Sequence, residues 1–197
     1  RAAAQDSLMR LMRLVSWGLL LALIAHAAAT YGALPEQVPT HLDLAGRPDR
    51  FSERSIMGWF LLPAIGLLLL LLFEVLTAMM PDRPHLINLP DKERFLALPR
   101  RWQAPVITEV ILLVDVSAAG VIAVFGLVQW QLARIALGGA SGASVLTLIA
   151  PMFLTVGLLL LEPLHQLLDL RVGRDRPGDL VLVGGGLLLQ VGGHDRD

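Results

Sequence analysis

The chain has 197 residues, of which 55% are hydrophobic and 17% charged. A soluble domain carries about 25% charged residues, so one water-facing core cannot absorb this composition, whereas a bilayer can. The formal net charge is -1 and there is no cysteine, which removes any global pull toward nucleic acid and excludes disulfides, thiolate metal sites and cysteine nucleophiles.

A helix needs about 20 apolar residues to cross the hydrocarbon layer, and four stretches meet that length. The first runs from Leu14 to Leu34 without a formal charge. Its basic start and the later Ala25-His26-Ala27-Ala28-Ala29 also fit a cleaved signal peptide, and the span reading is taken over it. The second runs from Ile56 to Met80, with Glu74 as its one acid. The third, Pro105 to Leu132, contains Glu109 and Asp115, and the fourth, Ser144 to Leu168, contains Glu162 and His165. Pro105 suits a first helical turn. Pro63, Pro151 and Pro163 fall inside spans and are expected to kink them. Trp17, Trp59, Trp102 and Trp130 lie near span ends, where interfacial anchors belong.

Lys and Arg placement sets orientation. Twelve of the 16 flank the two ends and the second loop; the other four are Arg47, Arg50, Arg54 and Arg134. The expected fold is therefore all-α: an integral membrane four-helix bundle with both termini inside and a structured, proline-rich outer loop. Residues 1–170 form the spanning domain and 171–197 a cytoplasmic tail. In that tail, Leu180-Val181-Leu182-Val183 and Leu187-Leu188-Leu189 around three glycines predict a short hairpin.

The first loop holds Pro35, Pro39 and Pro48, which fix φ, and Gly46, which permits a turn. It reads as a shaped cap. His41 and Asp43 in it are candidate ligand or metal residues, and equally candidate partners for Arg47 or Arg50. The second loop, Asn88 to Leu98, predicts a short helix, either a plain polar connector or one laying Phe95, Leu96 and Leu98 on lipid with Lys92 and Arg94 at phosphates.

At these two loops the chain resembles a bacterial membrane family called domain of unknown function 1648, a domain also found in the immunity protein of the Sdp toxin system. The family pattern is Leu-Pro-x-x-(Val/Ile)-Pro-x-His, then Gly-x-Pro-Asp and an aromatic. Leu34, Pro35, Val38, Pro39, His41, Gly46, Pro48, Asp49 and Phe51 meet it. Asn88-Leu89-Pro90-Asp91-Lys92 is similar to a segment that follows the second span in such proteins. The resemblance implies a small polytopic protein of a bacterial cytoplasmic membrane with no established enzymatic activity, and in the Sdp case toxin immunity. With Asp43 from the loop itself, the motif's His41, Pro39, Gly46 and Asp49 are the candidate ligand- or partner-binding residues; lipid and a protein are the expected partners, and the charge argues against nucleic acid.

Charged groups inside a bilayer are read as functional by default. At about 1.5 Å per residue, Glu74, Glu109 and Glu162 fall at similar depth on the inner side, with His165 on the same face as Glu162. Together they form a candidate divalent metal site, or they pair with nearby arginines. Asp115 lies near the expected midplane, as a proton-relay group or an interhelical hydrogen bond, with His26 as a candidate partner. There is no P-loop, G-x-S-x-G or H-E-x-x-H motif, and no resident cofactor is expected. Function by binding is favoured over catalysis. A transporter or metal-dependent membrane protein, and a structural subunit of a larger complex, are the alternatives.

Overall fold

The computed structural model describes residues 2–43, 45–89, 92–144, 157, 181–183 and 187–189. Helix α1 spans Ala2–Tyr31 and is followed by strands β1 (Gln37–Leu42) and β2 (Pro48–Glu53). A short helix α2 (Ile56–Trp59) leads into α3 (Leu61–Met79). A 3-10 turn at Pro84–Leu86 and helix α4 (Lys92–Ala97) connect to α5 (Arg100–Ala136). Strands β3 (Val181–Val183) and β4 (Leu187–Leu189) pair antiparallel, which is the tail hairpin that the residue pattern predicts.

Helices α1, α3 and α5 are each long and apolar enough to cross a membrane. Their outward faces carry Leu14 and Leu21 on α1, Leu68, Leu72 and Val75 on α3, and Leu113 on α5, all exposed. A helix apolar on both its packed and outward faces suits a lipid surround. The expected fourth span, with Glu162 and His165, lies almost wholly outside the described residues.

The fold is mostly helical, not all-α. The first loop is an antiparallel hairpin pairing Gln37 with Glu53, Val38 with Ser52 and Pro39 with Phe51. Its prolines argue against a strand interior. In a two-stranded sheet, however, every strand is an edge, so a missing N–H can face away from the partner. The register slips on either side of His41.

Helix boundaries also shift. Helix α1 begins twelve residues before the expected span, and α5 begins five residues before Pro105. The second span is broken at Phe60. Pro63 cannot donate to the carbonyl of Trp59 four residues back. That carbonyl instead accepts from Gln129 Nε2 of α5 at 3.2 Å. The break is thus repaired by a neighbouring helix, as buried backbone requires.

Three apolar layers hold the helices together. At the hairpin end, Ala27, Leu34, Val38, Trp59 and Ala133 pack together. Leu20, Leu23, Leu70, Ala118 and Ile122 form the middle layer, into which Gly66 fits closely against Ile122 and Leu20. Ile87, Phe95, Ile107 and Ile111 form the third. Phe95 of α4 is therefore a core residue. Gln103 holds α4 in place, its Nε2 donating to the carbonyls of Phe95, Leu96 and Leu98. Trp59 likewise lies in the core, and its indole N–H donates to the carbonyl of Ala27 at 3.1 Å.

Candidate functional site

Two polar constructions stand out: the hairpin, and a charged cluster between the helices. In the hairpin, Asp43 organises the turn. Its Oδ1 accepts the backbone N–H groups of Ala45 and Arg47, both at 2.8 Å, and its Oδ2 accepts Arg47 Nε at 3.2 Å. The backbone closes the same loop through Gly46 N–H to the Asp43 carbonyl and Asp43 N–H to the Arg47 carbonyl. An aspartate that gathers turn N–H groups in this way is the expected chemistry of such a loop.

The Arg47 backbone N–H is the largest influence holding the Asp43 carboxyl below the usual carboxylate range, helped by Ala45 and the Arg47 guanidinium and opposed by burial. A lowered folded value means that the stabilisation is present above the ordinary value of 3.8 and is lost as pH falls through the lower folded one. The turn is therefore expected to stay ordered at neutral pH and to loosen only under acid. Asp43→Asn should remove that acid-dependent limb, and hydrogen exchange at the Arg47 amide checks it.

His41 Nδ1 lies 2.6 Å from Asp49 Oδ1, so the motif's histidine and aspartate bind each other across the hairpin. Both are exposed, whereas Pro39 and Gly46 are buried. Gly46 adopts a φ of 78° and its carbonyl accepts the Ala143 N–H at 2.7 Å. A side chain at position 46 would collide with the Ala143 carbonyl oxygen. Gln131 fastens the same segment through both amide atoms, donating to the Ser144 carbonyl at 3.1 Å and accepting its N–H at 2.7 Å. Arg54 closes the base, donating to the Leu34 carbonyl at 2.7 Å and covering the Tyr31 ring. Strand β2 turns Asp49, Arg50, Phe51, Ser52 and Glu53 outward.

The second construction joins α1, α3 and α5 between the middle and third core layers. Arg13 Nε donates to both oxygens of Asp115, at 3.1 and 3.3 Å. Arg13 Nη2 donates to Thr77 Oγ1 at 3.3 Å, and Thr77 donates onward to the Phe73 carbonyl. Arg13 Nη1 stands 3.7 Å from Glu74 Oε2, and the Trp17 indole donates to Glu74 Oε1 at 3.2 Å. Asp115 is buried and Glu74 half-buried. The sequence treats Arg13 as a flanking charge and Trp17 as an interfacial anchor, and no local signal joins residues 102 positions apart.

The other candidates are placed as follows. Glu109 lies half-buried on α5. His26 is on α1, and its Nε2 is buried without a hydrogen-bond partner among the described residues, while the hydrogen bonds of Asp115 go to Arg13. Among the described residues no three His, Asp or Glu side chains form a metal-holding group. Glu162 and His165 are outside that set.

A 65-residue stretch, 31% of the chain, is 37% identical to an uncharacterized protein of the archaeon Archaeoglobus fulgidus. The chain covers 34% of that relative's length. No solved structure matches. The model of the family described as Domain of unknown function (DUF1648) matches residues 18–67, from the middle of α1 through the hairpin and into α3.

Proposed function

We infer that this is a polytopic integral membrane protein that acts by binding rather than by catalysis, as an immunity, sensory or accessory subunit, with the hairpin as its recognition element. The observation that carries the reading is the hairpin's construction. Its turn and its His41–Asp49 cross-strand pair are held by its own side chains, β1 is seated through Val38 on Leu34, Trp59 and Ala133, and β2 leaves a mixed polar and aromatic row exposed. A preorganised surface loses little freedom when it meets a partner.

In this reading four spans place both ends and the second loop in the cytoplasm and the hairpin outside, in the inner membrane of a bacterium. The ligand is a protein, and toxin immunity of the Sdp kind is one form that the binding takes. A photoreactive residue at Phe51 in the full chain tests it. The expected result is a cross-linked partner in the native membrane, reduced at least several-fold by His41→Ala or Asp49→Ala. A cross-link that survives both changes removes the hairpin as the recognition element.

A second reading is a transporter or metal-dependent membrane protein, with Glu74, Glu109, Glu162 and His165 as ligands. Metal analysis of the purified chain, with Glu162→Gln beside it, separates the two. A structural role in a larger complex would instead appear as stoichiometric co-purification that does not depend on His41 or Asp49.

A further inference from the structure

The two edges of the hairpin are not alike. The Arg54 N–H donates to the Glu36 carbonyl at 2.7 Å, and the register runs on through Gln37–Glu53, Val38–Ser52 and Pro39–Phe51. In an antiparallel ladder hydrogen-bonded and non-hydrogen-bonded pairs alternate. Val38 and Ser52 therefore bond each other, whereas the backbone groups of Gln37, Pro39, Phe51 and Glu53 point away from the partner strand. On β1 that outer edge is closed. Pro39 has no N–H to offer, and Val38 packs beside Ala133 of α5. On β2 it is open. Phe51 and Glu53 each direct one N–H and one C=O outward, about 7 Å apart. Asp49 to Glu53 are all exposed, and among the described residues no group outside the hairpin bonds to this edge.

A free edge of this kind is a template for another strand, and its charges select the strand. Among the described residues neither Arg50 nor Glu53 has an ion pair, and Phe51, between them, is 55% exposed. An incoming antiparallel strand meets Glu53 first, then Ser52, Phe51 and Arg50. A basic residue, a hydroxyl, a β-branched residue and an acid complement them in that order. A second copy of this chain does not. Antiparallel registers centred on Arg50, Phe51 or Ser52 set Arg50 against Arg50, Asp49 against Glu53, or Arg50 against Arg54, and like charges opposite one another destabilise a pair.

We propose that the protein partner docks by adding an extended, proline-free segment antiparallel to β2, with a basic residue opposite Glu53 and an acid opposite Arg50. The inference rests on the hairpin as recognition element and specifies how that element recognises: backbone hydrogen bonds at Phe51 and Glu53 hold the segment, and the flanking charges fix its register.

The test uses the full chain in phosphatidylcholine nanodiscs. The probe is the fluorescein-labelled peptide Thr-Val-Lys-Thr-Val-Glu-Thr, read by fluorescence anisotropy. Its Lys and second Val stand opposite Glu53 and Phe51, so their N–H groups bond the edge, while the N–H of the Thr between them points away. Saturable binding is expected. N-methylation of that Lys or that Val should weaken it by about five-fold or more, one hydrogen bond being lost each time. N-methylation of the intervening Thr should not. Glu53→Pro, which removes an outward N–H and none of the ladder's, should weaken binding likewise, with hydrogen exchange at the Arg47 amide unchanged. The methylated peptides decide on the unaltered chain even where Glu53→Pro disturbs the hairpin. Absence of binding to the unaltered chain, or an equal effect of all three methylations, overturns the proposal. The Phe51 cross-link in the native membrane is a separate readout: where it persists and the peptide fails, strand addition is lost and the recognition reading stands.

Discussion

Arg13→Leu is expected to destabilise the helix assembly by about 3–5 kcal/mol, the cost of leaving a buried ionic partner uncompensated. The structure makes the direction of the asymmetry specific. Removing Arg13 strands two carboxylates, one of them 5% exposed, and also strips Thr77 of its donor. Asp115→Leu leaves Arg13 with Glu74 close by, a neutral pair at 3.7 Å. It should therefore cost clearly less than Arg13→Leu. The double change Arg13→Leu with Asp115→Leu should recover part of the loss, because a paired charge replaced on both sides by apolar groups is often neutral. Denaturant titration in mixed micelles checks all three. Equal losses in the two single variants would show that the charge balance does not govern this site.

The second large effect belongs to Gly46. A β-branched residue there must adopt φ near 78°, a region that costs L residues roughly 1–2 kcal/mol. Its Cβ also meets the Ala143 carbonyl, in the segment whose N–H bonds back to Gly46. Losing that hydrogen bond adds about 1 kcal/mol. Gly46→Val is thus expected to cost about 2–4 kcal/mol in all and to release residues 142–144 from the hairpin. Gly138 supplies the control. Its φ is 73° but nothing stands within 4 Å of the Cβ position. Gly138→Ala should show the conformational cost alone, about 1 kcal/mol, and leave the hairpin contact in place. Protease sensitivity of the hairpin and the 142–144 segment separates the two outcomes.

These two sites differ in how far they could be read from sequence. Gly46 announces itself: it sits among prolines and an aspartate in a recognisable motif, and local chain geometry demands glycine. What local geometry does not contain is the neighbour it accepts, Ala143, almost a hundred residues away. The Arg13–Asp115 pair is wholly of that second kind. A basic residue before an apolar run reads as a topogenic flank, and an acid within a span reads as a polar group in need of a partner. Only the packing of α1 on α5 joins them.

The hairpin shows a different limit. Alternation predicts strands, but proline at positions 39 and 48 masks it, and only strand pairing reveals that both are tolerated on a two-stranded ribbon. Gln103, Gln129 and Gln131 belong to no motif that would mark them in the sequence. Each is buried, and each ties up backbone groups left over where a helix breaks or a loop begins. Trp59 lies in the core and not at an interface for a related reason. Its position near a span end suits an anchor, but the break before α3 turns it inward.

Helix lengths place the charged cluster at the far end of the helices from the hairpin, so Asp115 sits toward the opposite boundary of the bilayer and not at the expected midplane. Arg13 lies 18 residues before the end of α1, about 27 Å along the axis, which is close to the thickness of the hydrocarbon layer. The hairpin and the α4 connection consequently lie at opposite ends of the three helices. Their separation by a bilayer is the claim on which both the recognition reading and the cluster's charge accounting depend.

Because the chain contains no cysteine, single cysteines report their side directly. Ser52→Cys in the hairpin and Glu93→Cys in α4, each in the full chain in sealed right-side-out vesicles, are to be labelled with a membrane-impermeant maleimide. Ser52→Cys is expected to label at once and Glu93→Cys only after the vesicles are opened. Labelling of both positions in sealed vesicles would contradict it.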